Sequence, residues 1–177
     1  FVFAGSRPMP TLYFGQVYIE PAFRGRMLIQ RTVLGFMLKA KFRHPLGTCY
    51  FWTDALTYKP YLVMANNLAD YCPHPDRATP PDILALQDAI GARYYPDTFQ
   101  AKTRTVNKPS NLLNDQSVVI TERDLQNRFI RFYAQRNPGH AKGDGLLLVC
   151  PMSLKNVLHF LLRLIRKKRQ SRGRHAG

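Results

Sequence analysis

The strongest constraint on the fold is a change of hydrophobic period inside one continuous stretch, Thr11 to Phe42. From Thr11 to Glu20, aromatic and β-branched residues recur as they do in a strand. From Gly25 onward, Met27, Leu28, Leu34, Met37, Leu38 and Phe42 recur near helical spacing, while Arg31, Lys39, Lys41 and Arg43 occupy the other side. This pattern predicts an amphipathic helix of about four turns, stopped by Pro45 and Gly47. Pro21 and the run Arg24-Gly25-Arg26 form the corner between strand and helix.

The rest of the chain extends the alternation of strands and helices. Phe1 to Ala4 reads as a further strand, separated from Thr11 by a turn containing Gly5, Pro8 and Pro10. The run "TCYFWTDAL" is short, aromatic and rich in β formers, the signature of a strand buried on both faces. Thr57 then offers an N-cap, and Pro60 a first-turn residue, for a second helix that closes at Pro73. "PPDILALQDAIGARYY" predicts a third helix whose acid near the start and Arg93 near the end suit the helix dipole. Residues 102–114 are polar and irregular. Arg128 to Gln135 and Gly145 to Cys150 read as two strands on either side of the turn signal Asn137-Pro138-Gly139, and a basic helix ends the chain. The class expected is α/β.

With 177 residues, 45% of them hydrophobic, the chain is expected to form one domain over 1–165 and a basic, disordered tail over 166–177. It opens on Phe1 within a β-like run, so a processed chain or the later part of a longer product is expected. The formal charge is +15; from Arg163 to Gly177 there are seven basic residues and no acid, which leaves +8 elsewhere. Such a field favours anionic partners, namely phosphorylated cofactors, anionic lipid or nucleic acid. Cys49, Cys72 and Cys150 are dispersed without C-x-x-C spacing, which reads as reduced thiols in a cytoplasmic protein. The longest apolar run falls far short of the roughly 20 residues of a spanning helix.

The corner has its own chemistry. A helix N-terminus presents unpaired N–H groups and a partial positive charge, so it receives phosphate readily where the preceding chain can approach closely. Gly25 permits that approach, and Arg24 and Arg26 add charge. The plainer reading is an ordinary strand-to-helix turn with solvated arginines. The order of strand, Arg-Gly-Arg corner, amphipathic helix, aromatic strand and second helix, with the run "IEPAFRGRMLI", resembles the acetyl-CoA-binding half of the GNAT acyltransferases. The resemblance covers Thr11 to Tyr71, and "RFIRFYAQRNPGHAKGDGLLLVC" is similar to the family's closing pair of strands.

The resemblance implies a mixed, mostly antiparallel sheet flanked by helices, with part of the N-terminal half missing. It also implies transfer of an acyl group from acetyl-CoA, a longer acyl-CoA or an acyl-carrier-protein thioester to an amine acceptor. The Thr11–Glu20 strand would splay from "YFWTDAL" and admit the acyl-pantetheine arm. Val17, Tyr18, Ile19 and Thr57 would line the cofactor, and the backbone of Arg24, Gly25, Arg26, Met27, Leu28 and Ile29 would receive the pyrophosphate. The family pattern has small residues where Met27 and Ile29 stand here.

For the amine proton, the carboxylate nearest the corner is Glu20, with Asp54 a second candidate. The family's acidic tyrosine position falls on Met64, so Tyr58, Tyr61 or Tyr71 would substitute, and Tyr61 is the choice. Each has a plainer reading: a solvated carboxylate for Glu20, a packed aromatic for Tyr61. The five histidines lack ligand spacing, and no metal is inferred. Leu154, Val157, Leu158, Leu161, Leu162 and Ile165 are expected on one apolar face that docks on the domain. Contact of that basic helix with an anionic membrane, on its inner face, is the further partner expected. The alternative function is a non-enzymatic basic module for RNA or an anionic membrane surface, nucleic acid being the lesser expectation because no RNA-binding signature is present.

Overall fold

The computed structural model describes residues 2–4, 7–15, 17, 19–23, 26–45, 47–108 and 118–173, with side chains through Arg166. In chain order the elements are β1 (Val2–Ala4), β2 (Arg7–Met9), β3 (Thr11–Tyr13), α1 (Leu28–Arg43), β4 (Tyr50–Ala55), α2 (Tyr58–Asn67), α3 (Pro81–Tyr94), β5 (Phe99–Gln100), β6 (Thr105–Val106), α4 (Arg128–Arg136), β7 (Gly145–Pro151) and α5 (Leu154–Gly173). The fold is α/β: among the described residues, five α-helices accompany a mixed five-stranded sheet of order β3-β4-β7-β6-β5. In that sheet β3 runs parallel to β4, and the other neighbours are antiparallel. β1 and β2 form a separate antiparallel hairpin.

All six residues of β4 are buried, which explains why its sequence is aromatic and apolar without alternation. Alternate side chains serve two cores. Phe51 and Ala55, with Leu146, Leu148 and Cys150 of β7, meet Met37 of α1, Tyr61 and Met64 of α2, Tyr133 of α4 and Phe160 of α5. Tyr50 and Trp52, with Leu147 and Val149, meet Ile83, Leu86 and Ile90 of α3 and Val2 and Met9 of the hairpin. Each large apolar side chain so buried contributes about 1.5–3 kcal/mol. Gly91 lets α3 approach the sheet edge, because any Cβ there would collide with the Phe99 ring.

Several local expectations change. The first long strand stops at Tyr13 rather than reaching Glu20. The Pro-containing turn holds β2, with Pro8 opposite Phe3, on a short hairpin edge that tolerates a missing donor. The helix α2 ends at Asn67, before Pro73, because Leu68 turns extended and Cys72 pairs with Val149 on the open side of β7. Thr105–Val106, inside the polar stretch, adds a rung to β7 as β6.

Arg128 to Gln135 is not a strand but part of α4. Asn127 caps that helix by accepting the Phe129 N–H at 2.9 Å, and Ile130 and Tyr133, three apart, are its buried residues. The closing antiparallel partner of β7 is therefore β6, not this segment. The C-terminal helix is continuous through Gly173, past the expected boundary at 166. Its buried side is Asn156, Val157 and Phe160, whereas Leu154, Leu158, Leu162 and Ile165 point outward. The expected single docked face is thus divided between core and surface.

Asn156 ties this helix to the body of the protein. Fully buried, its Oδ1 accepts the N–H groups of Ala69 (2.9 Å) and Asp70 (2.8 Å), while its Nδ2 donates to the carbonyls of Asp70 and Pro151, both at 2.7 Å. One side chain thereby satisfies the loop after α2 and the end of β7. Asn156→Ala strands four partly buried backbone groups and is expected to cost about 3 kcal/mol, a fall in Tm of roughly 6–12 °C. Thermal unfolding followed by circular dichroism measures this; an unchanged Tm would remove the latch from the account.

Candidate functional site

The site begins where two parallel strands part. β3 and β4 pair at Thr11–Tyr50, Leu12–Phe51 and Tyr13–Trp52, and one more bond, Phe14 N–H to the Trp52 carbonyl at 3.0 Å, closes the ladder. Beyond it Thr53, Asp54 and Ala55 pair only with Leu148, Leu147 and Leu146 of β7 among the described residues. Among the described residues, the carboxyl end of β4 thus has no strand partner on the β3 side. Ligands of open α/β sheets bind at such carboxyl ends, where neighbouring connections diverge.

Asp54 stands at this fork, on the same face as Trp52, with its side chain 4% exposed. Three elements reach it. The Tyr13 hydroxyl donates to Oδ1 at 2.7 Å, and the Tyr95 hydroxyl, from the end of α3, donates to Oδ2 at 2.8 Å. The Lys108 ammonium, just beyond β6, pairs with Oδ2 and lies 4.9 Å from the centre of the Tyr95 ring. Trp52 stacks between Tyr13, at 4.4 Å, and Tyr94, at 5.3 Å. A carboxylate this buried needs both a counter-charge and hydrogen bonds, and it has them.

The phenols are the working surface of this cluster. Burial, then the hydrogen bond and charge of Asp54, push the Tyr13 hydroxyl up to about 12; burial and the Asp54 charge also raise Tyr95 well above its ordinary value. Both stay protonated at neutral pH. Tyr13 remains 41% exposed as a residue, and its proton points to Asp54. The arrangement can accept a hydrogen bond from an amine and pass a proton inward.

On the other side of β4, past its end, lies a cleft of about 210 Å³ lined by Leu56, Thr57, Tyr58, Ile120, Tyr133 and His140, among others. Burial holds the His140 imidazole below its usual pKa, so it is neutral at pH 7. The volume suits the end of a narrow chain rather than a drug-sized ligand, which needs about 300–1,000 Å³. Among the described residues, no three His, Cys, Asp or Glu side chains are grouped as metal ligands.

The residues expected to act together are dispersed. Glu20 is exposed, its carbonyl accepting the Phe23 N–H at 2.9 Å. Tyr61 has no exposed surface and donates to the Pro73 carbonyl at 3.3 Å within the core. No substrate can touch both without unpacking that core, so Tyr61 is a packing residue. Thr57 lines the cleft as the N-cap residue of α2, without a side-chain cap bond. Val17 is 46% exposed, Ile19 half-buried.

Tyr18, Arg24 and Gly25 lie outside the described residues. Arg26 is exposed, with its guanidinium 5.1 Å from the Phe23 ring. Leu28 opens α1 with an exposed side chain, and Met27 and Ile29 are half-buried. Met27, at a small-residue position of the GNAT pattern, adopts a left-handed backbone, φ 53° and ψ 33°. Sequence reasoning missed Tyr13, Tyr95 and Lys108, which are 41 to 54 residues from Asp54 along the chain. The only local signal was an acid inside an otherwise apolar strand.

The chain matches no family model, no curated protein and no solved structure. Two outcomes are expected of the site itself. In Asp54→Asn the Tyr13 phenol should titrate below about 12 but stay above 10, because burial, the larger cause, persists. The stability that this phenol confers is complete below its ordinary pKa and is lost as pH rises through about 12. Ultraviolet difference titration against Tyr13→Phe isolates the signal; an unmoved midpoint would disconnect the two residues. At the corner, Met27→Gly relieves left-handed strain whereas Met27→Val, β-branched, increases it, so Gly should exceed Val by about 1–2 kcal/mol in denaturant unfolding.

Proposed function

We propose that the chain is an acyltransferase of GNAT type, moving an acyl group from a thioester donor, acetyl-CoA or a longer acyl-CoA, to an amine. One observation carries this reading: among the described residues the pairing of β3 with the adjacent, parallel β4 ends after Phe14, with a hydrogen-bonded carboxylate just beyond that end. A split of that kind is where the resemblance puts the acyl-pantetheine arm. The strand-helix-strand order of β3, α1 and β4, with β7 and β6 antiparallel beyond, supports it further.

In this reading Asp54, rather than Glu20, accepts the proton. The amine enters beside Tyr13 as a hydrogen-bond donor to its oxygen. Nitrogen attacks the thioester carbonyl, the C–N bond forms, and the amine proton passes to Tyr13 as Tyr13 passes its own to Asp54. The C–S bond then breaks, the thiolate takes a proton from solvent, and Asp54 returns its proton to bulk water. Lys108 supplies the counter-charge to Asp54, and both Lys108 and Tyr95 hold its Oδ2. Positioning supplies most of the rate, since amine and thioester react once held in line. The cleft beside Thr57 takes the end of the donor's narrow arm or acyl chain.

Calorimetry with acetyl-CoA and a long-chain acyl-CoA tests donor binding, with Arg24→Glu expected to weaken it by about tenfold through loss of phosphate attraction. In Asp54→Asn, binding should persist while turnover with an amine falls by about 10²–10⁴. Failure of both donors to bind would end the reading; full activity in Asp54→Asn would end the role of the fork.

A further inference from the structure

The acids and bases of this chain are segregated by element. α1 and α5 contain eleven Lys and Arg residues and no Asp or Glu, out of a net charge of +15 for the whole chain. The two helices pack against each other and against the same sheet face, through Met37, Val33 and Leu34 on one and Val157, Phe160 and Leu164 on the other. Their outer sides therefore lie next to each other on the same side of the sheet.

That surface is apolar as well as cationic. On α5, Leu154, Leu158, Leu162 and Ile165 are 49–62% exposed and follow one helical stripe, with exposed Lys155 and Arg166 beside it. On α1, Phe42 is 92% and Leu38 47% exposed, interleaved with exposed Lys39 and Arg43. Ordinary solvated helices carry polar residues on this side. Leucine and phenylalanine standing in water next to like charges cost free energy unless something removes both from water.

We propose that the joint α1–α5 face docks on the surface of a bilayer containing anionic lipid, with Phe42, Leu158 and Leu162 seated at the boundary of the acyl region and the flanking cations on headgroup phosphates. Charge complementarity selects this occupant. Lys155 is paired with Asp70, but the two helices themselves carry no acid, so a second copy of the chain would bring two predominantly cationic faces together and is opposed by their repulsion. RNA would answer the cations but leaves the apolar stripe wet. An anionic bilayer satisfies both, since interfacial helices insert their apolar side about 5–10 Å and each nearby basic residue adds about 1 kcal/mol. The contact is peripheral, because among the described residues no helix is long and apolar enough to cross a membrane. The inference is independent of acyl transfer.

Flotation of the full chain with phosphatidylcholine vesicles, and with equal-part phosphatidylcholine–phosphatidylglycerol vesicles, tests it. Binding is expected to the mixed vesicles, to weaken with salt, and to fall at least about tenfold in Phe42→Glu and in Leu158→Glu. Circular dichroism verifies that the variants stay folded. Independently of their stability, the indole introduced by Phe42→Trp should shift its emission to the blue with mixed vesicles, above the signal of buried Trp52. No binding, or binding indifferent to Phe42→Glu, overturns the two-helix face. A wild-type dimer abolished by either substitution assigns the face to self-association, and RNA binding with no vesicle binding assigns it to nucleic acid; both overturn the proposal.

Discussion

The structure depends on the antiparallel ladder between β4 and β7. Six residue pairs, from Tyr50 with Pro151 to Ala55 with Leu146, join two strands that are buried on both sides. Both strands read as apolar runs because no face of either meets solvent. The ladder supplies one wall to each of two cores: α1, α2, α4 and α5 cover one side, α3 and the β1–β2 hairpin the other. Loss of register by one residue would exchange the two sets, putting Trp52 among the α2 and α4 side chains and Phe51 against α3.

The candidate site follows from an interruption of this regularity. The backbone groups of successive β4 residues point alternately to its two sides, and β3 provides partners on one side only as far as Phe14. An ionised side chain is tolerated there because the chain supplies neutralising and hydrogen-bonding groups from three other elements. Burial beside Trp52, then the hydrogen bond and charge of Asp54, push Tyr13 to about 12. Burial, charge and strand divergence coincide at one residue, Asp54.

The outward faces of α1 and α5 obey a different logic. Inward residues of both helices are set by the core, whereas the outward ones have no packing reason to be leucine, isoleucine or phenylalanine. Their coexistence with eleven basic residues and no acid within the two helices is the basis of the proposed docking surface, on the side of the sheet opposite α3. Asn156 anchors this surface to β7 and to the loop after α2, so the helix that carries it is held to the sheet by hydrogen bonds as well as by its apolar inner side.

Periodicity alone determined the α/β class, the helices α1 and α3 and the buried strands β4 and β7, because each is long enough for its burial pattern to be written in consecutive residues. Short pairings were not legible: β2, β5 and β6 have two or three residues each, and such strands exist only because a partner edge is available. The segment 128–136 shows the competition directly, since its aromatic content favours a strand while the Asn127 cap and the spacing of Ile130 and Tyr133 make it a helix. Asp54 was visible as an acid in an apolar strand, but its partners Tyr13, Tyr95 and Lys108 were not, because contact between residues so far apart is made by the sheet order and not by local spacing. The amphipathic character of α5 was likewise plain in sequence. Which half of its apolar residues faced inward was decided by tertiary structure, where Asn156, Val157 and Phe160 found the core and left the leucine stripe outside.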